Sequence, residues 1–135
     1  MVNIKIIYEG QLHCALTHEP SGAVINTDAP KDNMGRGEAF SPTDLVAAAL
    51  GSCMLTVMGI AAAKHQIDLK GTTAQISKEM ITAPIRRIGS ISVIVNMAPG
   101  IPFEKRPVLE AAAQSCPVHK SLHPDVQTPI QFIYP

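Results

Sequence analysis

The feature that most constrains this chain is an uncharged stretch, LVAAALGSCMLTVMGIAAA, at residues 45–63. A stretch of this length passes the simple test for a membrane-spanning helix. It is, however, rich in alanine and glycine, and it lacks both a Trp/Tyr belt and basic flanking loops. The pattern therefore favours a helix of a soluble protein that is buried on nearly all sides, with a membrane span as the alternative.

The residues just before this stretch form a helix start signal. Ser41 can cap the first free N–H groups, and Pro42 suits the first helical position because its missing N–H has no partner there anyway. Asp44 lies at the third helical position, near the positive end of the helix dipole. The sequence predicts one long helix from Pro42 to about His65.

Composition and charge narrow the class of protein. The chain has 135 residues, of which 46% are hydrophobic and 16% charged, so we expect one folded domain over residues 1–135. Eleven basic residues balance eleven acidic ones, and only 4% are aromatic, so we expect no nucleic-acid partner. The first ten residues contain no apolar signal segment, which predicts a cytoplasmic protein with reduced thiols.

The rest of the chain alternates between strand and helix patterns. Antiparallel strands with helices on one side are expected, which is an α+β fold. The 28–40 segment has no apolar period and is expected to be a loop. In the helix predicted at 103–115, Val108, Leu109 and Ala112 are expected to share one face. Strands are predicted at residues 2–8, 11–17, 23–27, 72–82, 85–97 and 126–134, and a further short helix after Pro117.

The three cysteines have different contexts. Cys53 lies in the middle of the long helix, where it can be a small buried side chain or, with a cation nearby, a reactive one. Cys116 is expected at the N-cap of the short helix, where free N–H groups favour a thiolate, and His119 follows one turn later. Cys14, in a predicted strand, is expected to be structural, and an odd count argues against a disulfide framework.

A metal site is a less favoured interpretation of these residues. Cys116 and His119 have a ligand spacing that Cys53 could complete, but there is no C-x-x-C pair, and a structural zinc site needs four ligands. The other histidines are scattered through the sequence and are expected to be solvated: His13, His18, His65 and His123.

Two segments resemble one known family. SPTDLVAAALGSC at residues 41–53 is similar to the helix start and first cysteine of OsmC/Ohr proteins. SCPVHKSL at residues 115–122 resembles the second-cysteine motif of the same family. The two motifs occur in the family's order and at about its spacing, and the predicted element order also matches.

The resemblance implies an OsmC-like fold, an intertwined homodimer and cysteine-based reduction of organic hydroperoxides. Cys53 would be the peroxidatic cysteine and Cys116 would resolve it through an intramolecular disulfide. A small dithiol or a redox protein would then reduce the disulfide, and no bound cofactor would be needed. The implied substrate is a small apolar hydroperoxide, with no nucleic acid or membrane as partner.

The sequence departs from the family pattern at three places. Thr43 stands where the peroxidases have a Glu, and Asp44 comes one residue later, about 100° away around the helix. The usual Ohr position of the Arg that holds the thiolate, near the N-terminal strands, has no Arg here; Arg36, followed by Glu38, resembles the loop Arg of the OsmC branch but has a shorter spacing to the helix. His119 stands where Ser is usual. These departures keep an alternative open: an OsmC-fold dimer without efficient peroxidase activity, which binds an apolar ligand or senses oxidants.

Overall fold

The computed structural model describes all residues from Met1 to Pro135, which form two compact units, Met1–Val46 and Ala47–Pro135. The predicted order of strands and helices is confirmed. The expected loop at 28–40 contains one short 3₁₀ turn, Lys31–Asn33.

The first unit contains a three-stranded antiparallel sheet whose first strand is exposed on both faces. Neighbouring side chains of a strand point to opposite faces, and Ile6 and Ile7 are 60% and 50% exposed. Both faces of this strand therefore present apolar surface. The strands are β1 (Ile4–Gly10), β2 (His13–His18) and β3 (Ala23–Asp28), in the order β1-β2-β3.

The long helix α1 (Pro42–Lys64) begins with the predicted cap. The Ser41 hydroxyl oxygen accepts a hydrogen bond from the Asp44 N–H at 3.1 Å, and the Asp44 carboxylate accepts one from the Ser41 N–H at 2.9 Å. This reciprocal arrangement satisfies two N–H groups that the first turn leaves without helical partners.

The expectation that α1 is buried on nearly all sides is wrong for a single chain. Its length and composition would allow it to cross a membrane, with a mean hydropathy of 2.1, but only a third of that window is buried. Ile60, on the uncovered side, is 56% exposed. The buried residues form one stripe at helical spacing: Ala47, Leu50, Gly51, Met54, Met58 and Ala62.

A glycine in this stripe lets the helix approach the sheet of the second unit. The strands of this sheet are β4 (Thr73–Ile81), β5 (Arg87–Asn96) and β6 (Ile130–Ile133), in the order β4-β5-β6. A Cβ atom on Gly51 would lie 2.7 Å from Cδ1 of Ile76, a side chain of β4.

One strand pair differs from the antiparallel prediction. β4 and β5 form the predicted antiparallel hairpin, but β6 runs parallel to β5. The chain returns to the start of β5 through α2 (Arg106–Gln114) and α3 (Pro117–Ser121), and such a crossover joins parallel strands. β6 is also shorter than predicted, because Pro129 has no N–H for the ladder.

The buried face of α2 is shifted by one residue from the prediction. Leu109 and Ala113 are completely buried, whereas Val108 is 39% exposed. The helix also begins later than expected, after a separate 3₁₀ turn at Phe103–Lys105. Leu109 and Ala113 are four residues apart, so they lie on one face of the helix and form its core contacts.

Candidate active site

Cys116 caps helix α3 with its sulfur, as predicted. The residue has an extended backbone, φ −60° and ψ 141°, and Pro117 follows at the start of the helix. The His119 N–H donates to Cys116 Sγ at 3.3 Å. Cys116 has no exposed surface, so its thiol is reachable only from atoms already packed against it.

Cys53, the other predicted cysteine, is such a neighbour. It is partly exposed on α1, and all three cysteines of the chain are free. Burial raises the pKa of the Cys116 thiol, and a hydrogen bond and the charge of Cys53 raise it further, whereas the N–H groups of His119 and Val118 lower it. The structure therefore brings the thiols of Cys53 and Cys116 within hydrogen-bonding reach.

The raised pKa favours the protonated form of the Cys116 thiol. A hydrogen bond that raises the pKa of a group favours the protonated form of that group. In this geometry Cys53 is partly exposed, whereas Cys116 is buried and its thiol is favoured in the protonated form.

The His119 ring is held by two hydrogen bonds. Its Nδ1 atom lies 3.0 Å from the carbonyl oxygen of Gln114, which can only accept, so Nδ1 carries a hydrogen. Its Nε2 atom lies 2.8 Å from the Thr128 hydroxyl. The ring therefore ties α3 to the segments on either side of it. The chain has no group of three or more His, Cys, Asp or Glu side chains that could hold a metal ion.

Thr43 and Asp44 belong to the cap of α1. The Asp44 carboxylate takes part in the reciprocal cap with Ser41, and the Thr43 hydroxyl lies 3.2 Å from the Ser41 hydroxyl. Ser41 itself is only 1% exposed. These contacts give both residues a structural role at the helix start.

Arg36 and Glu38 lie in the first unit, on the segment between β3 and α1, and both are exposed. The Glu38 backbone N–H donates to the Asp28 carboxylate at 3.1 Å. The Arg36 guanidinium contributes to lowering the pKa of Asp28, although the hydrogen bond from His13 is the largest cause. Arg36 thus lies within electrostatic range of Asp28.

The expectation that His13 is merely solvated is wrong. Its Nδ1 atom lies 2.6 Å from Asp28 Oδ1, and Asp28 is only 4% exposed. His13 and Asp28 are paired directly across β2 and β3. Only the strand register brings them together, so no sequence motif signals the pair. Cys14, the next residue, is a half-buried free thiol in β2.

The second unit contains a groove with mostly aliphatic walls. It has a volume of about 480 Å³ and runs between α1 and α2. Ser115, directly before Cys116, lies at its lining, and Lys64 and His65 are its basic residues. Its other walls are aliphatic, among them Val57, Ile60, Ala61, Val108 and Ala112.

Comparison with known proteins shows the family. The family model described as OsmC-like protein matches residues 35–131, more than half of the chain. An osmotic stress induced and detoxification response protein from Psychrobacter arcticus 273-4 is 41% identical and has a TM-score of 0.92, covering 98% of this chain and 96% of that one. The chain belongs to the OsmC-like family.

More distant structures share the fold. An organic hydroperoxide resistance protein OsmC from Legionella pneumophila is 17% identical with a TM-score of 0.75, covering 98% of this chain and 96% of that one. Another such protein, from Elizabethkingia anophelis, is 16% identical with a TM-score of 0.76, covering 100% and 96%. No curated protein matches the chain.

Proposed function

We propose that this protein is a cysteine-based peroxidase that reduces organic hydroperoxides. The observation that carries the proposal is the adjacency of a partly exposed Cys53 and a buried Cys116. Hydroperoxide resistance proteins among the solved structures of the same fold support the choice of substrate class.

The reaction balances with these two thiols and one hydroperoxide. The Cys53 thiolate attacks the O–O bond, an S–O bond forms, and the alkoxide takes a proton and leaves as an alcohol. Cys116 then attacks the Cys53 sulfenic acid, an S–S bond forms, and the hydroxyl group leaves as water. Two thiols and ROOH thereby give one disulfide, ROH and water.

Other groups have supporting roles in this proposal. Arg36 supplies the cation that favours the Cys53 thiolate. The groove between α1 and α2 accommodates an apolar substituent of the hydroperoxide, because its walls are mostly aliphatic. An external dithiol or redox protein reduces the disulfide, and no bound cofactor takes part. Free thiols at rest suit a reducing compartment, and we propose the cytoplasm.

Titration of the reduced protein with an organic hydroperoxide tests the proposal. We expect one equivalent of cumene hydroperoxide to consume two thiols per chain and to produce a Cys53–Cys116 disulfide, identified by peptide mass spectrometry. Adding dithiothreitol should then give continuous turnover. The Cys14→Ser variant is the matched control and should behave like the wild type. Oxidation that leaves both Cys53 and Cys116 as thiols would contradict the proposal.

We further propose that the protein is a homodimer. α1 leaves one apolar side uncovered, and β1 exposes isoleucines on both faces. Surfaces of this kind on one chain are typical of a face that a partner covers. Sedimentation equilibrium should give a mass close to twice 14.4 kDa. A monomer at micromolar concentration would contradict this proposal and leave the thiol chemistry untouched.

One structural feature, the groove between α1 and α2, also supports a second candidate function. An OsmC-like dimer that binds an apolar ligand, or that senses oxidants without turning them over, needs the groove or the thiol pair but not a fast catalytic cycle. Thr43, in place of the Glu of the peroxidases, motivates this alternative. A single oxidation without turnover in the titration with dithiothreitol would support it over the peroxidase.

A further inference from the structure

The segment that carries Arg36 is closed by a set of backbone hydrogen bonds. This segment, residues 29–40, is called the Arg36 loop below. The Asp28 N–H donates to the Phe40 carbonyl at 3.1 Å, and the Gly37 N–H donates to the Ala29 carbonyl at 3.3 Å. The entry and exit of the loop therefore lie side by side. At Gly35 the backbone passes so close to the Ala29 carbonyl that a Cβ atom would collide with it.

One side chain joins this closure to the sheet. Asp28 Oδ2 accepts the Glu38 N–H at 3.1 Å, and Asp28 Oδ1 lies 2.6 Å from His13 Nδ1. The carboxylate thus uses one oxygen for the far end of the Arg36 loop and the other for strand β2. Because Asp28 is 4% exposed, water competes poorly for these two bonds.

We propose that His13 is a positioning residue, which acts through Asp28 to hold the Arg36 loop closed and so fixes the place of Arg36. The catalytic part of this inference rests on the proposed function, in which Arg36 favours the Cys53 thiolate. The loop-closing part does not, since it depends only on hydrogen bonds within the first unit.

The charges around His13 and Asp28 suit this role. Glu9 Oε1 lies 3.7 Å from His13 Nε2, and the Asn26 side chain also favours the protonated ring. The hydrogen bond to Asp28 is the main cause that raises the pKa of His13 above 6.5. The same bond lowers the pKa of Asp28 below 3.8, and the Arg36 guanidinium adds to that effect.

The pH dependence follows from the two directions. Because the pKa of His13 is raised, its contribution to the stability of the closed loop is complete below pH 6.5. This contribution is lost as the pH rises through the higher pKa that His13 has in the folded protein. Because the pKa of Asp28 is lowered, its contribution to that stability is present above pH 3.8. It is lost as the pH falls through the lower pKa that Asp28 has in the folded protein. The loop should therefore be held most firmly between pH 3.8 and 6.5.

Amide hydrogen exchange of the loop tests the closure without any peroxidase assay. In His13→Ala we expect the Gly37 and Glu38 amides to exchange roughly fivefold faster, the effect of losing about one hydrogen bond. Trypsin should also cleave after Arg36 faster. In the wild type, exchange corrected for its intrinsic rate should increase above pH 6.5. His13→Asn, which keeps a neutral donor, should restore part of the protection and remove this pH dependence.

The matched control is His18→Ala, at the other end of β2, where the ring bonds the Ser21 hydroxyl at 2.6 Å. It should leave the Arg36 loop unchanged. Wild-type exchange in His13→Ala would overturn the proposal, whatever the activity of the protein.

A double-mutant cycle tests the action through Arg36. His13→Ala and Arg36→Ala should each slow Cys53 oxidation, and combining them should slow it no further than Arg36→Ala alone. Additive effects would overturn the positioning role. A wild type that oxidises neither thiol would refute the proposed function and leave the exchange result to decide the closure.

Discussion

Replacing Cys53 by serine is expected to abolish hydroperoxide reduction, with a loss of roughly three orders of magnitude or more. A serine hydroxyl is neither ionised nor a sulfur nucleophile at neutral pH, so no S–O bond can form and the O–O bond stays intact. The measurement is the initial rate of cumene hydroperoxide consumption with excess dithiothreitol. Because the position is partly exposed on α1 and the change is nearly isosteric, circular dichroism should show an unchanged fold.

Cys116→Ser separates the first chemical step from the second. This variant should consume one equivalent of hydroperoxide per chain in a burst, because Cys53 still reacts, and should then hold a sulfenic acid that dimedone traps. The wild type, which forms the disulfide, should be labelled by dimedone only to a small extent. Wild-type steady-state activity in Cys53→Ser would refute the assignment, as would the absence of a burst in Cys116→Ser.

Replacing Leu109 by alanine is expected to lower the free energy of unfolding by about 2–5 kcal/mol, the usual cost of truncating a fully buried leucine. Leu109 has no exposed surface, and with Ala113 it forms the core face of α2. The loss is a large part of the ~5–15 kcal/mol that stabilises a typical domain. Urea unfolding followed by circular dichroism at fixed protein concentration measures it.

Val108→Ala provides the comparison on the same helix. Val108 is 39% exposed, so its truncation leaves no closed cavity and should cost less than about 1 kcal/mol. Equal losses in the two variants would mean that α2 does not use Leu109 as its core contact. The pair also tests the one-residue shift between the predicted and observed faces of this helix.

Local rules predicted the parts of the fold that depend on neighbouring residues. Ser41, Pro42 and Asp44 signal the start of α1 within four consecutive positions, and Ser41 caps a free N–H as predicted. The hydrogen bond from the Ser41 N–H to the Asp44 carboxylate was not predicted. The same holds for Cys116 and Pro117 at α3. Such signals are reliable because the backbone groups they satisfy are a few residues away.

Features that depend on distant segments were predicted less well. The parallel pairing of β6 with β5 depends on where the crossover through α2 and α3 returns, which no local pattern encodes. Whether one side of α1 stays uncovered depends on how many strands and helices of the same chain pack against it. An apolar sequence indicates that a surface will be covered, but it does not indicate by which chain.

The candidate site also contains residues that the sequence identified and residues that only the fold brings together. The resemblance of two motifs to OsmC/Ohr proteins identified Cys53 and Cys116 as a pair, and the structure places their thiols together although 62 residues separate them. His13 and Asp28 escaped notice because each is unremarkable in its own segment. Only the β2–β3 register, in which His13 lies opposite Asp28, identifies them as a pair.

The cap of α3 differs from that of α1 in one respect, because its acceptor is a sulfur atom that can change its bonding. A disulfide sulfur has no ionisable hydrogen and remains a weak acceptor, and it is pulled toward its new partner. In the proposed peroxidase cycle, oxidation of Cys116 would therefore change the bonding of the atom that holds the first turn of α3, whose His119 ring reaches Gln114 and Thr128. The order of that single helical turn would then follow the redox state of one sulfur atom.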